Sequence, residues 1–171
     1  MPGPVVISEY NPRWPIMYEE EKALILAAIA RWVVAIEHVG STSVPGLAAK
    51  PIIDIMVGVR SLDDAQHCIE PLAAIGYIYQ PPEVDGIPER RFFNKGPQDS
   101  HRHLHIAELG SDFWQCHLLF RDYLRSHPDA ARQYEALKRE LAARFGADRQ
   151  GYTNAKTDFI RSIEEKARRG E

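Results

Sequence analysis

"EHVGSTSVPGLAAKPIIDIMV", residues 37–57, sets a Gly-Ser pair at the end of one β-branched run and a lone aspartate inside the next. The upstream run WVVAIEHVG (32–40) reads as a strand that stops at Gly40. The downstream run PIIDIMVGV (51–59) is nearly continuous in apolar residues, the pattern of an interior strand covered on both faces. Asp54 lies among Ile52, Ile53, Ile55 and Val57. Keeping a carboxylate ionised in such surroundings costs on the order of several kcal/mol unless it is partnered. Asp54 is therefore expected to open onto a polar crevice at the strand end, with a structural pair to Lys50 as the competing reading. A P-loop is excluded. That motif needs four residues between its glycines and a Lys directly after the second. Here five residues separate Gly40 from Gly46, Lys50 comes four later, and the segment enters a strand rather than a helix.

Working outward, Asn11-Pro12 starts a helix whose Trp14, Met17, Leu24 and Ala28 recur at helical spacing. Ser61 and Asp64 form a capping box ahead of a helix carrying Leu62, Ala65, Ile69 and Leu72, which ends near Gly76. GYIYQ (76–80) is a short strand, and a Pro-Gly loop follows through Pro88. RRFFNKG and HRHLHIAEL read as neighbouring strands joined by a Gly-Pro turn. Three helices complete the chain: one capped by Ser111, one restarted by Pro128 and ended by Gly146, and one from about Asn154 through Ile163. A mixed sheet followed by consecutive helices is an α+β layout, read as one domain over 1–171 with the sheet in 1–110 and the helices in 111–171.

His101, His103 and His105 alternate with Arg102 and Leu104, so in a strand all three face one side. With Asp54, two imidazoles would make a two-His, one-carboxylate set suited to Zn, Mn or Fe. The competing reading is a polar sheet face whose histidines bond neighbours or water. His101, beside the turn, is expected to be exposed.

The opening segment, together with HRHLHI, FRDYLRSHPDAARQYEALKRELA and YTNAKTDFI, is similar to the GrpB family of the polymerase-beta-like nucleotidyltransferase superfamily. The resemblance covers most of the chain. It implies a nucleotidyltransferase-like mixed sheet with flanking helices and a C-terminal helical part. It also implies a metal-dependent protein that binds a nucleotide or other phosphate-bearing ligand. Asp54, His103 and His105 would form the catalytic and metal site for Mg or Mn, or for Zn. Gly40, Ser41, Lys50, Arg121 and Lys156 would hold the phosphates. The usual superfamily pair is D-x-D on one strand face, and here Met56 stands in the second position. A thioether is a poor ligand for Mg²⁺, which prefers hard oxygens. A nucleotide sensor without catalysis, or a His/Asp metallohydrolase, are the other readings. Ser41 has a simpler role open to it as well, bonding the backbone of its own turn.

The bulk numbers constrain the rest. The chain has 171 residues, 26% of them charged, and a net charge of −3, so nothing in its charge asks for nucleic acid or an anionic membrane. Acids outnumber bases 11 to 5 over residues 1–86, whereas bases lead 16 to 13 afterwards. Counter-charges for an anion are therefore expected from the second half. Cys68 and Cys116 lack a C-x-x-C pattern, no apolar run approaches a membrane span, and no signal-peptide core is seen. These features predict reduced thiols and a cytoplasmic location. Oligomeric state leaves no sequence signature here.

Overall fold

The computed structural model describes residues 3–97 and 101–171. Strands Ala35–Val39 (β1), Ile53–Val59 (β2), Ile78–Gln80 (β3), Arg90–Lys95 (β4) and Arg102–Glu108 (β5) form one sheet in the order β1-β2-β5-β4-β3. β2 runs parallel to β5, and the other neighbours are antiparallel. This is the mixed α+β sheet that the sequence predicts.

Register assigns the two faces. β2 pairs with β5 so that Asp54 lies beside His103 and Met56 beside His105. β1 sets Val39 beside Asp54 and Glu37 beside Met56. The alternate residues Ile53, Ile55, Val57, Val59, Leu104 and Ile106 point to the opposite face. There they form the main core with Trp14, Tyr18, Ile25 and Ile29 of helix α1 (Trp14–Ile29) and with Leu72 of α2 (Ile69–Ala74). Each such side chain contributes about 1.5–3 kcal/mol by leaving water.

The Asp54 face is roofed by the later helices α4 (Asp112–Ser126), α5 (Pro128–Phe145), α6 (Arg149–Ala155) and α7 (Thr157–Arg169). Trp114 of α4 packs on Val39 and Met56, while Leu124 and Tyr134 pack on Val44 and Leu47. Among the described residues, no helix is long and apolar enough to cross a membrane.

Four local expectations need correction. The C-terminal part has four helices, not three, because Asp148 accepts from the Gly151 amide at 2.9 Å and starts an extra short helix. The Ser61 hydroxyl accepts from the Asp63 amide, and the segment winds as a 3₁₀ helix over Leu62–Cys68 before α2 begins. Pro71 cannot donate to the His67 carbonyl, which removes one bond of an α-helical ladder there. Pro82–Asp85 forms a single helical turn, α3, closed by Gly86 in the left-handed region. β1 starts at Ala35 rather than Trp32, because residues 30–33 turn on backbone bonds to Ile29 and Ala30. Gly96 begins the β4–β5 connection as expected, and residues 98–100 of it lie outside the described residues.

Candidate functional site

The Gly-Ser turn is built by a chain of bonds across its base. The Thr42 hydroxyl donates to the Ile52 carbonyl at 2.9 Å. It must then accept from His38 Nε2, 3.0 Å away, so His38 carries its hydrogen on Nε2. Burial pushes His38 down to about 4, which keeps it neutral. The Ser43 hydroxyl and amide both donate to the Gly40 carbonyl. Gly40 has φ of 74°, and a Cβ there would lie 2.5 Å from Asp54 Oδ2. Only glycine lets the backbone adopt this conformation with the carboxylate lying directly against it.

Asp54 is the hub of the sheet face, with a quarter of its side chain open to solvent. His105 Nε2 lies 3.1 Å from its Oδ1, and His103 Nδ1 stands off at 3.6 Å from the same oxygen. On the far side of His105, Arg90 Nη1 donates to Nδ1 at 2.7 Å, and Arg90 is itself gripped by Asp85 at 2.6 and 2.9 Å. A guanidinium only donates, so Nδ1 holds a lone pair and Nε2 carries the hydrogen given to Asp54. Burial pushes His105 down to about 4, against the pull of Asp54. Burial also works against ionisation of Asp54, yet the two imidazoles overcome it and hold its carboxyl far below the usual range.

This arrangement bears on the expected metal site. Asp54, His103 and His105 do converge. Both ring nitrogens of His105 are committed, however, one to Arg90 and the other to Asp54 through its hydrogen. Met56 shares the face with Asp54 but is fully buried against Val39 and Trp114. Among the described residues, no three His, Cys, Asp or Glu side chains are grouped so as to hold a metal ion. The donor set, one carboxylate and one uncommitted imidazole, does not suit a two-metal centre or a resident two-His, one-carboxylate site.

Above this face lies a cavity of about 270 Å³ between the sheet and the C-terminal helices. Gly40, Ser41, Asp54, His103 and His105 line its floor. Lys50, Lys138 and Lys156 line one end. Lys138 Nζ donates to the Ala48 carbonyl at 2.6 Å, and among the described residues none of the three ammoniums forms an ion pair. Burial lowers all three; repulsion from the other lysines adds to the effect at Lys138 and Lys156, and Arg149 adds to it at Lys50. Lys138 falls to about 7 and Lys156 to about 8, while Lys50 is drawn back up by Asp54. The ammoniums of Lys50 and Lys156 sit 5.0 and 4.4 Å from the centre of the Tyr152 ring, whose negative face partly offsets their charge. The Tyr152 hydroxyl is buried and has no hydrogen-bond partner among the described residues.

A family model described as GrpB protein matches residues 4–166. The chain belongs to the GrpB family. It is 41% identical over 165 residues to UPF0157 protein YqkA of Bacillus subtilis, covering 96% of this chain and 48% of the relative, so it spans about half of that protein's length. The crystal structure of conserved protein GrpB from Enterococcus faecalis superposes with a TM-score of 0.85 at 36% identity, covering 95% of this chain and 96% of the other. The Cid1 poly(U) polymerase, solved with Mg and 3′-dATP bound, shares the nucleotidyltransferase fold. Its TM-score is 0.51 at 15% identity, over 81% of this chain and 44% of the polymerase.

On this GrpB-family frame, Gly40, Ser41, Lys50, Asp54, His103, His105 and Lys156 all meet at one cavity. Arg121 does not line it. Its guanidinium donates to Glu37 at 2.6 Å, to Asp122 at 2.9 Å and to the His38 carbonyl at 3.1 Å, tying α4 to β1. The second-half cation from the helices is Lys138 instead. Sequence reading missed Tyr134, Lys138, Tyr152, His117 and Glu164 as cavity residues. A signal existed for Lys138: it interrupts the apolar stripe Tyr134, Leu137, Leu141 that forms the inner face of α5. His101 bonds the Gly96 carbonyl through Nδ1 and stays out of the cavity.

Proposed function

We propose that the cavity binds a nucleotide or a related phosphate-bearing molecule, with its phosphates on Lys50, Lys138, Lys156 and the Ser41 hydroxyl. The observation that carries this reading is the convergence of three mostly buried lysines with no carboxylate in ion-pair contact among the described residues, Asp54 and Glu135 acting on them only at longer range. An uncompensated buried charge costs about 3–5 kcal/mol. A polyanion entering the cavity would supply the missing partners. In this reading, lysines neutralise the phosphates where a two-metal enzyme would use cations, which makes the protein a binding module or sensor.

Nucleotidyl transfer is the second reading, with Mg²⁺ or Mn²⁺ arriving on the phosphates as part of the substrate. The ionised, quarter-exposed carboxylate of Asp54 on the cavity floor favours it. A zinc hydrolase is disfavoured because His105 presents N–H, not a lone pair, toward Asp54.

Calorimetry with tripolyphosphate and nucleoside triphosphates in EDTA tests the first reading. Binding is expected without metal, and Lys156→Met should weaken it by about tenfold to a hundredfold, the worth of one charge-assisted bond. Failure of every phosphate compound to bind in EDTA would sink the metal-free reading. Binding that appears only with Mg²⁺, accompanied by pyrophosphate release, would establish the second.

A further inference from the structure

Along α7, Lys156 at the cap, Ile160 and Glu164 recur every four residues, and all three line the cavity. Such residues stack on one helix face, and eight residues rise about 12 Å. The wall thus runs from an ammonium, past an apolar side chain, to a carboxylate. α4 and α5 continue the pattern. Tyr134 lies one turn from Lys138 on α5, and Phe120 lies one turn from His117 on α4. The Phe120 and Tyr134 rings meet edge to face with centroids 5.2 Å apart. The cavity therefore has a cationic end, a ring-lined middle, and a far end formed by Glu164 and by His117, whose ring centre lies 6.1 Å from that of His105 on the floor.

That far end can only accept hydrogen bonds. His117 Nδ1 lies 2.8 Å from the Phe113 carbonyl. A carbonyl cannot donate, so Nδ1 carries the hydrogen and Nε2 holds a lone pair. Burial lowers His117 and keeps the ring neutral. Among the described residues, the Glu164 carboxylate accepts no hydrogen bond and forms no ion pair.

We propose that Glu164 and His117 read the hydrogen-bond-donor edge of a nucleobase, while its ring lies against the wall formed by Phe120, Tyr134 and Ile160 and its phosphates lie on the lysines. This rests on the phosphate-binding reading above. Acceptor-only side chains select donors. Guanine offers two adjacent donors, its ring N1–H and its 2-amino group, which match one carboxylate edge. Adenine and cytosine place a lone pair beside their amino group, and uracil offers one N–H. The favoured ligand class is a guanine nucleotide.

The test is calorimetry in EDTA with GTP, ITP, ATP, UTP and tripolyphosphate on the parent protein, Glu164→Gln and His117→Leu, with melting curves to verify folding. ITP keeps the N1–H and lacks the 2-amino group. In the parent, GTP is expected to bind at least about tenfold tighter than ATP, UTP or tripolyphosphate, with ITP between. Glu164→Gln should erase that preference without weakening tripolyphosphate binding, since it removes a negative charge from the cavity wall. If all five bind equally, or if the preference survives in a folded Glu164→Gln, the base-edge inference falls and the phosphate site stands. If none binds, both fall together.

Discussion

The protonation of His105, and with it the bond that Asp54 accepts, depends on an arginine two strands from Asp54. Arg90 fixes which nitrogen of His105 carries hydrogen, and so fixes the bond that Asp54 accepts. Replacing Arg90 with Gln removes a cation that lowers His105. Its titration midpoint should then rise from about 4, and the N–H should no longer be confined to Nε2. Nitrogen-15 shifts of the imidazole through a pH series report both changes. The same replacement strands Asp85, whose side chain is 6% exposed, and should cost about 3–5 kcal/mol in urea unfolding. Adding Asp85→Asn removes that orphaned carboxylate and separates the two effects. An unmoved His105 midpoint in the double variant would show that Arg90 does not control the imidazole.

At the scale of elements, α4 decides what β2 can do. Its Trp114 covers Met56, so the position where a second strand carboxylate would stand belongs to the core. Met56→Asp is expected to lose at least about 3 kcal/mol of stability without gaining Mg²⁺ affinity, as read by urea melts and a Mg²⁺ titration. Tighter Mg²⁺ binding in a folded variant would mean that this carboxylate reaches the cavity. The strand side of the site was partly legible because period-two alternation puts His103 and His105 on one face; that Asp54 shares it follows from the parallel register of β2 with β5, which no single-strand period states. The helix side was much less so. A charge inside an apolar stripe can mark either a cavity wall, as at Lys138, or a cross-element pair, as at Arg121. Which one holds depends on a partner 84 residues away in the case of Arg121 and Glu37. Family resemblance picked out Lys156, but spacing alone does not distinguish it from a solvated lysine. The extra helix α6 and the 3₁₀ segment turn on single cap and proline bonds, which leave the hydrophobic period almost unchanged.

Across the whole molecule, the lysine cluster makes stability and binding respond to pH in opposite directions. Lys138 and Lys156 have folded values near 7 and 8, below the ordinary lysine value of 10.5. Between those limits the unfolded chain holds more protons than the folded one, so stability rises with pH. The cost is fully present below about pH 7 and is relieved progressively as the pH climbs toward the ordinary lysine value of 10.5. Anion binding needs the protonated lysines, so phosphate affinity should fall over the same range. Denaturant melts and tripolyphosphate titrations at pH 6.5, 7.5 and 8.5 check both slopes (round values bracketing the two lysines). Slopes of the same sign would remove the lysines from the explanation.

The unpaired charges have one more result, which concerns the lifetime of the protein. Lys156 caps α7, so the repulsion among the lysines bears directly on the start of that helix. On the proposed phosphate-binding reading, copies without ligand would open there more often and meet proteases in that state, while filled copies would stay shut. The amount of this protein in a cell would then rise and fall with the supply of its ligand, with no transcriptional control.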